Sequence, residues 1–588
     1  METTNVDKIK REKLLNALDK IEKNLKDEDL INSLALIKNE INKKKYGLFW
    51  EEHKERVDQE LETKIPVLKE NKKKRILESK EKDFNFLIEG DNLHSLYILN
   101  KTHKENIDVI YIDPPYNTGK KDFIYNDKIV ENEDGYKHSK WLSFLEKRLR
   151  LAQKLLKPSG IIFISIDDNE LAELKLLCDS IFDERNFISI LSIENNPKGR
   201  KNSNFISTSN EYCLIYAKNK DKSYFLENIP KSIKDLSKDE DGNYVHNSGK
   251  RILVGKNEFN EEVKDFSSDK HYSVYYNKET NDMILRKEAK ISDEDEDLKY
   301  AGYERYYSYK NNHFVLNTYS YHKFYELFQK NALAFKDKKI YEKNYSTMIR
   351  MKSMVINKSY KAIINNKEKD FQIDVKTTSA GTELKKIFNT DVIPFNNPKN
   401  TGLIKLLLSL IENKNALVLD FFAGSGTTAQ AVLELNKEDK GNRRFILCNN
   451  NENNICEDIT YERIKRVIKG YADVKGLPAN LKYLKTNYIP RENSEKNNIY
   501  ANTLKDITNL IELENGKIID DTKICLFKTE DEIDNFSQNI NALKECEKVY
   551  ITSDILLTKK EEEILEQNNI SMYIIPEYYF KNEITEVL

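Results

Sequence analysis

The sequence predicts an α/β fold built on a mostly parallel sheet, with a helical region before it, an inserted domain within it and a small α/β domain after it. Three observations predict this. Short apolar runs alternate with helix-compatible stretches from residue 84 onward. The alternation stops between about residues 190 and 380 and then returns. Two further strand-like runs follow residue 490. Continuous apolar runs separated by helices are typical of buried parallel strands.

The N-terminal region, from about residue 6 to 75, has apolar residues at three- and four-residue intervals among charges, which predicts amphipathic helices. These are Leu14, Leu18, Ile21 and Leu25, then Leu30, Leu34, Ile37 and Ile41. We expect a helical hairpin or bundle. Its apolar stripe would pack on its own domain or form a subunit interface, and the pattern alone leaves both open.

Five apolar runs predict the central strands: 86–88, 109–112, 161–166, 416–419 and 444–447. The insert is rich in Lys, Asn and Tyr, and the C-terminal segment contains strand-like runs at 548–552 and 570–575. The expected domains are a helical N-terminal region (1–80), a first sheet part (81–190), an insert (191–380), a second sheet part (381–490) and a C-terminal domain (491–588).

Composition restricts the functional classes. The formal net charge is −2, so any contact with nucleic acid must come from a local basic surface. Six cysteines without a CxxC pair fit neither a disulfide scaffold nor a zinc site, and we expect a cytoplasmic protein without a metal. No apolar run of 18 residues predicts a membrane span, and residues 1–10 lack the apolar core of a signal peptide.

The strongest motif is Asp113-Pro114-Pro115-Tyr116-Asn117, directly after a predicted strand. In α/β sheets, ligands bind beyond the carboxyl ends of the strands. Two prolines stiffen this segment and remove two backbone donors. Asp113 and the Pro114 carbonyl could accept the two N–H groups of an exocyclic amine, while Tyr116 stacks on an extruded base. The alternative is a rigid turn in which Asp113 caps a helix.

A second motif, residues 420–428 (DFFAGSGTT), also follows an apolar strand and precedes a helix-compatible stretch. Gly424 and Gly426 would let the backbone approach a ligand, and the helix N-terminus behind them offers N–H groups to a carboxylate. The alternative is an ordinary turn between strand and helix. No Gly-Lys-Ser/Thr follows, which disfavours a phosphate loop.

Two acidic residues complete this candidate binding site. Glu452 follows the strand beyond the glycine loop, where ribose hydroxyls are bound in dinucleotide sites. Asp91 could accept from a cofactor amine, although either residue could be a solvated loop carboxylate. Asp167, Asp168 and Glu170 are interpreted as a strand end followed by a helix rather than as metal ligands.

Nucleic-acid contacts could come from the Tyr and Lys residues of the insert, although scattered aromatic residues are more often part of a core. The first candidates for phosphate contact are Lys198, Arg200, Lys201, Lys385 and Lys386. Each could equally be an ordinary solvated charge.

These motifs closely resemble the modification (Mod) subunits of type III restriction-modification systems, which are beta-class DNA adenine-N6 methyltransferases. The resemblance covers most of residues 40–490 and rests on 88–93 (IEGDNL), 111–119 (YIDPPYNTG), 141–144 (WLSF), 164–170 (ISIDDNE), 395–399 (FNNPK), 421–428 (FFAGSGTT) and 442–446 (NRRFI). The catalytic motif precedes the glycine loop with the insert between them, as in the beta class.

The resemblance implies a Rossmann-like, S-adenosylmethionine-dependent methyltransferase sheet, with the insert as target-recognition domain. Asp113, Pro114, Pro115 and Tyr116 would be catalytic. The cofactor contacts would be Asp91, Asp113, Pro398, Lys399, Asp420, Phe421, Phe422, Gly424, Ser425, Gly426, Thr427 and Glu452. The sequence departs from the usual family pattern at Asn400, where a second proline is common, and in the polar run 448–452.

The implied function is base-flipping methylation of adenine N6 in duplex DNA. The expected partners are a second copy of the chain and an ATP-dependent restriction (Res) subunit. Four alternatives stay open: a solitary DNA methyltransferase without a restriction partner, methylation of cytosine N4, transfer to RNA, and a DNA-specificity subunit that mainly recruits a nuclease-translocase, with methylation secondary. Asp at position 113 rather than Ser favours adenine, as the resemblance implies.

Overall fold

The structure, a computed structural model, describes residues 6–23, 28–42, 50, 53–79, 82–119, 124–125, 128–129, 135–199, 205–239, 241–247, 251–491, 496–519 and 522–585. Its centre is a ten-stranded mixed sheet. In chain order the strands are β1 Lys64–Glu70, β2 Phe84–Glu89, β3 Ile107–Ile112, β4 Leu156–Ile166, β5 Phe187–Ile193, β6 Glu211–Ala217, β7 Met354–Val355, β8 Leu417–Asp420, β9 Arg444–Asn449 and β10 Asn480–Pro490.

The strands lie in the spatial order β1-β10-β2-β9-β8-β3-β4-β6-β5-β7. All neighbours from β10 to β4 are parallel, which confirms the parallel arrangement predicted for the five apolar runs. β6 runs antiparallel to both β4 and β5. The first residue of β6 therefore lies at the same edge of the sheet as the last residues of the parallel strands.

Both faces of the sheet are covered, and this explains why its strands are apolar throughout. In β3, Ile110 and Ile112 pack into one core layer, whereas Val109 and Tyr111 pack into the other. The covering helices are Asn92–Thr102, Lys137–Leu155, Leu171–Phe182, Thr377–Phe388, Thr401–Leu408, Thr427–Asp439 and Glu462–Lys469, the last preceded by a π-helix, Ile455–Tyr461.

The N-terminal helices Val6–Glu22 and Glu28–Asn42 form the predicted hairpin, joined by ion pairs from Lys38 to Asp19 and Glu22. A third helix, Arg56–Thr63, follows. The expectation of helix to about residue 75 is wrong, because residues 64–70 form the edge strand β1, paired antiparallel with β10. Pro66 within this run disfavours a helix, and Ile65, Val67 and Leu68 are buried against the sheet.

The insert has a core of its own, formed around Tyr272, Val274, Phe324 and Ile340. Its helices are Glu296–Tyr300 and Tyr321–Gln329. Its strands form small sheets: Ile229–Pro230 with Met348–Ile349, Leu236–Lys238 with Tyr244–His246, Arg251–Val254 with Leu333–Lys336 and Lys339–Glu342, Ser273–Asn277 with Asp282–Arg286 and Glu304–Tyr306, Tyr309–Lys310 with His313–Phe314, and Lys358–Ile364 with Lys367–Ile373.

The insert does not begin at residue 191 as expected. β6 belongs to the central sheet, where it lies between β4 and β5. Its residues Cys213, Leu214 and Ile215 are fully buried there, and the extra antiparallel pairing explains why the βα alternation of the sequence stops before the sheet does.

The C-terminal segment forms a small parallel sheet of Ile524–Phe527, Lys548–Thr552 and Ser571–Ile575, of which the last two strands were predicted. Its helices are Lys496–Lys505, Ile507–Asn515, Glu530–Ser537, Ile540–Glu545, Lys559–Gln567 and Glu577–Thr585. Ile507, Ile511 and Phe580 join the core of the central sheet, so this segment packs directly on it. None of the helices described here combines the length and the apolar character needed to cross a bilayer.

Candidate functional site

The structure brings the two principal motifs together at the carboxyl edge of the sheet. Asp113 follows β3 and Asp420 ends β8, and these strands are parallel neighbours in which Val109 pairs with Val418 and Ile110 with Leu419. The motifs are 307 residues apart in the sequence (420 − 113). A cleft between adjacent strand ends is the usual ligand site of such sheets.

The diproline segment is fixed by Trp141, a fully buried side chain whose indole Nε1 donates to the Pro115 carbonyl at 2.7 Å. Within the described residues, no donor reaches the Pro114 carbonyl. The Pro114 carbonyl therefore remains available as an acceptor, and it is the carbonyl that the sequence analysis expected to accept from an exocyclic amine.

Asp113 faces a lysine that joins it to a second carboxylate. Lys399 Nζ lies 3.3 Å from Asp113 Oδ1, 2.7 Å from Glu211 Oε2 and 2.5 Å from the Tyr116 hydroxyl. The Tyr116 hydroxyl donates to the same Glu211 oxygen at 3.2 Å. The aromatic residue of the motif is therefore held at its hydroxyl end.

The charges of this cluster set one another's pKa values. Burial raises the pKa of Asp113, which the Lys399 ammonium only partly offsets. Burial lowers the pKa of Lys399, but Asp113 and Glu211 outweigh it and leave the pKa raised, so Lys399 is a cation at neutral pH. Burial also raises the pKa of Tyr116 well above its ordinary value, which keeps the phenol protonated.

Glu211 is absent from the site predicted from sequence. It is the first residue of β6 and is 5% exposed. Because β6 is antiparallel to β4, the start of this strand reaches the edge that carries Asp113. A glutamate directly before the apolar run 212–217 was a usable signal, provided that the run was recognised as part of the sheet.

The end of the Asp113–Asn117 motif is attached to Glu170. Asn117 has a left-handed φ of 56° and donates from Nδ2 to Glu170 Oε1 at 2.5 Å. His138 Nδ1 lies 2.7 Å from the same oxygen. Glu170 precedes the helix Leu171–Phe182, as expected, but its side chain makes no capping hydrogen bond. The described residues contain no group of three His, Cys, Asp or Glu side chains that could hold a metal ion.

Asp420 organises the glycine loop from within. Its carboxylate accepts from the Phe422 amide at 3.0 Å and from the Thr428 hydroxyl at 2.5 Å. Burial raises the pKa of Asp420 to about 7, against the lowering effect of these hydrogen bonds. Both carboxylate oxygens accept hydrogen bonds from within the glycine loop and its helix, so Asp420 stabilises the conformation of the loop in the predicted cofactor site.

Gly424 and Gly426 have the left-handed φ values 48° and 77°, as the sequence interpretation of a tight glycine turn requires. A Cβ atom at Gly424 would lie 3.3 Å from the Phe395 ring, and one at Gly426 would lie 3.2 Å from Thr460. Thr460 Oγ1 donates to the Gly424 carbonyl at 2.6 Å. The turn is therefore fixed by contacts that a side chain would disturb.

Arg463 is a second residue that the sequence did not predict. This fully buried guanidinium donates to Thr427 Oγ1 at 2.6 Å and to Ser425 Oγ at 2.9 Å. Thr427 Oγ1 in turn lies 3.4 Å from the Lys399 carbonyl. One side chain thus joins the glycine loop, and through it the Lys399 segment, to the helix Glu462–Lys469.

The remaining predicted contacts lie around this edge. Asp91 caps the helix Asn92–Thr102 by accepting from the Leu93 amide at 2.7 Å, and it lies 3.4 Å from Arg148. Glu452 is exposed on a short 3₁₀ turn after β9. Phe421 is buried and Phe422 partly buried. Asn400, where the family often has proline, caps the helix Thr401–Leu408.

The candidate phosphate contacts are only partly described. Lys198 is exposed, Lys385 is partly buried and Lys386 forms an ion pair with Asp473 at 2.8 Å. Arg200 and Lys201 lie outside the described residues.

The donor set at this edge fits S-adenosylmethionine. Asp113 Oδ1 is buried and accepts no hydrogen bond from the described residues, so an acceptor is available in the cleft. The left-handed φ values of Gly424 and Gly426 form the tight turn that leads from β8 into the following helix. Behind them begins the 13-residue helix Thr427–Asp439, whose N-terminus favours a carboxylate.

Comparison with known proteins gives a consistent result. The DNA methylase family N6_N4_Mtase matches residues 107–461. The Mod subunit of the type III restriction-modification enzyme EcoPI of Escherichia phage P1 is 33% identical over 455 residues, 72% of this chain and 66% of that subunit. The type II methyltransferase M.KpnI of Klebsiella pneumoniae is 32% identical over 405 residues, 66% of this chain and 88% of that enzyme. This chain thus spans about two thirds of the EcoPI subunit.

Among solved structures, the M1.HpyAVI–SAM complex aligns with 65% of this chain and 98% of its own, at 12% identity and a TM-score of 0.28.

Proposed function

Because the chain belongs to the DNA methylase family that matches residues 107–461, we propose that it methylates N6 of adenine in duplex DNA as the modification subunit of a type III restriction-modification system. The observation that carries the proposal is the position of the Asp113 segment beside the glycine loop, at the ends of neighbouring parallel strands. One segment would hold the amine of the target base, and the other would hold the methyl donor.

In this proposal the target adenine leaves the duplex and enters the cleft with its amino group toward Asp113. The exocyclic amine has two N–H groups, and Asp113 Oδ1 and the Pro114 carbonyl are the two acceptors available to them. Hydrogen bonding in this plane draws the N6 lone pair out of conjugation with the ring. Tyr116, fixed at its hydroxyl by Glu211 and Lys399, stacks on the base.

S-adenosylmethionine, when bound, supplies a methyl group activated by a positively charged sulfur. The residues that would hold it are Gly424, Gly426 and the N-terminus of the helix Thr427–Asp439, with Asp91 and Glu452 on the strand ends beside them. The chain's own contribution is mainly positioning, together with acceptance of the N6 proton by the Asp113 carboxylate, whose pKa is raised by burial.

The decisive experiment measures methyl transfer from labelled S-adenosylmethionine to plasmid DNA from a host without adenine methylation. Asp113→Ala should abolish transfer while S-adenosylmethionine still binds, because the glycine loop is not touched. Asp221→Ala, an exposed aspartate beyond the opposite end of β6, is the matched control. Transfer by Asp113→Ala at the wild-type rate would disprove the assignment.

Mass spectrometry of the digested DNA identifies the methylated base. Detection of N6-methyladenine would support the proposal, whereas detection of N4-methylcytosine would identify cytosine as the methylated base. Competition with RNA of the same sequence tests the third alternative.

The Res partner and a homodimer are the assemblies proposed with this function. Affinity purification of the tagged chain from its host should recover a large ATP-dependent helicase-like subunit, and mass photometry should give twice the chain mass. Recovery of the chain alone would favour a solitary methyltransferase.

A further inference from the structure

The site contains a buried cation, Lys399, between two carboxylates, of which Glu211 belongs to none of the motifs recognised in the sequence. The side chains of Lys399 and Glu211 are 13% and 7% exposed, and that of Asp113 is 25% exposed. With both carboxylates ionised and the lysine protonated, the cluster has a net charge of −1. Buried charges of this kind persist only where each is compensated by its neighbours.

Lys399 contacts the same Asp113 oxygen that the amine of a target base would use. Its ammonium is a donor facing Asp113 Oδ1 at 3.3 Å, and that oxygen is the acceptor proposed for the base. A charged donor competes strongly with a neutral amine for the same oxygen, because charge-assisted hydrogen bonds are the stronger ones. The base can engage Asp113 only if another group retains the ammonium.

Glu211 is placed to do this. Its Oε2 accepts a hydrogen bond from Lys399 Nζ at 2.7 Å, 0.6 Å shorter than the contact with Asp113 (3.3 − 2.7). It also accepts from Tyr116, the residue expected to stack on the base. The lysine is therefore hydrogen-bonded to Glu211 at 2.7 Å, while it forms a longer ion pair with Asp113 Oδ1 at 3.3 Å.

We propose that Glu211 is a positioning residue for methyl transfer, which retains the Lys399 ammonium when the amine of the target base takes over Asp113. The inference rests on the proposed function. The second carboxylate also keeps the cluster negative while methylation places positive charge on the amine nitrogen, and such preorganised charge stabilises the transition state.

The test uses the full-length chain and four variants of it: Glu211→Gln, Glu211→Asp, Lys399→Met and the double variant Glu211→Gln/Lys399→Met. In Glu211→Gln the ammonium has only Asp113 as a charged partner, so the single-turnover rate should fall about 100-fold, with KM for DNA within about threefold. Glu211→Asp should recover part of the rate. In the Lys399→Met background, Glu211→Gln should lower the single-turnover rate by less than about threefold, because no cation remains to be retained.

A binding measurement provides a readout besides activity. Duplexes carry the methylated site, identified beforehand by single-molecule sequencing, with either adenine or purine, which lacks the amino group, at the target position. The ratio of the two Kd values reports the contact with the amine. Glu211→Gln should shift this ratio by about tenfold against adenine, whereas in the Lys399→Met background it should not shift.

Glu512→Gln is the matched control, since Glu512 is a buried carboxylate beside Lys482 outside the site. It should change neither the rate nor the Kd ratio. Equal losses from Glu211→Gln in both backgrounds, or an unchanged Kd ratio, would overturn the inference. A wild-type chain that methylates no DNA would instead refute the proposed function itself, so the two failures are distinguishable.

Discussion

Glu170 holds Asn117, the residue that follows Tyr116, through a 2.5 Å hydrogen bond from Asn117 Nδ2 to Glu170 Oε1. Glu170 is fully buried, and its second oxygen accepts no hydrogen bond from the described residues. Burial raises the pKa of Glu170 to about 7, while Asn117 and His138 act in the opposite direction. The Asp113–Asn117 segment is thus attached to a carboxyl group whose pKa lies near neutral pH.

This pKa predicts how stability depends on pH. Between the ordinary pKa of 4.5 and about 7, folded Glu170 keeps a proton that the unfolded chain has released. The folded state binds more protons in this window, so its contribution to stability falls as the pH rises. Glu170→Gln mimics the protonated form at every pH. The difference in unfolding free energy between Glu170→Gln and the wild type should therefore shift in favour of the variant by roughly 1 to 3 kcal/mol as the pH rises from 5 to 8.

Urea unfolding of both proteins at pH 5, 6.5 and 8 measures this difference. Glu566→Gln, an exposed glutamate of the C-terminal segment, is the control and should follow the wild type. A Glu170→Gln difference that is constant across the pH range would show that Glu170 is ionised throughout.

Asn117 should be sensitive to substitution for two separable reasons. Asn117→Ala removes a hydrogen bond to a buried carboxyl, which costs about 1 to 3 kcal/mol, and places alanine at a φ of 56°, which costs about 1 kcal/mol more. Asn117→Gly incurs only the first cost at this position. The two unfolding free energies should differ by the conformational term, while both variants lose methyl transfer. Equal stabilities would place Asn117→Ala in an unstrained conformation.

The architecture of the sheet was predictable because its strands carry strong local signals. Continuous apolar runs mark β2, β3, β4, β8 and β9, and turn residues mark their ends. The two motifs could be expected to meet, since parallel strands place their carboxyl ends at one edge. The edge strand β1 was missed because its apolar residues continue a helical spacing. Pro66 is a local signal against a helix, and the pairing with β10 fixes the extended conformation.

Glu211 and Arg463 were missed for a different reason. Each acts through a residue far away in sequence: Glu211 through Lys399, and Arg463 through Ser425 and Thr427. Their own surroundings look ordinary, a glutamate before a strand and an arginine in an amphipathic helix. Such contacts are set by the packing of the sheet and helices, which local patterns do not encode.

The glycine loop gives a prediction about cofactor binding. Gly424→Ala and Gly426→Ala each force alanine into a left-handed conformation, at a cost of about 1 to 2 kcal/mol, and bring Cβ within 3.3 Å of Phe395 or Thr460. The loop should move, and the Kd for S-adenosylmethionine should rise about tenfold or more. Gly135→Ala is the control, because a Cβ there meets no atom within 4 Å. Isothermal titration that finds wild-type affinity in both loop variants would remove the loop from the cofactor site.

Substitution of Arg463 should affect stability and cofactor affinity more than substitution of any surface cation of the same helix. Arg463→Met removes the donors to Ser425 and Thr427 and leaves both hydroxyls buried without their cation, so we expect a loss of about 3 kcal/mol or more in the free energy of unfolding. The Kd for S-adenosylmethionine should rise as well, because the loop loses its attachment. Arg463→Lys keeps the charge but not the planar set of donors, and it should recover only part of both quantities.

Arg466 provides the comparison within the same helix. It is partly exposed and donates to the Phe388 carbonyl at 3.1 Å, away from the glycine loop. Arg466→Met should therefore lower stability slightly and leave cofactor affinity unchanged. If the hydrogen bonds from Arg463 hold the loop, only Arg463→Met should raise the Kd for S-adenosylmethionine. An equal rise in Arg463→Met and Arg466→Met would show that the loss of affinity comes from a change in the helix as a whole.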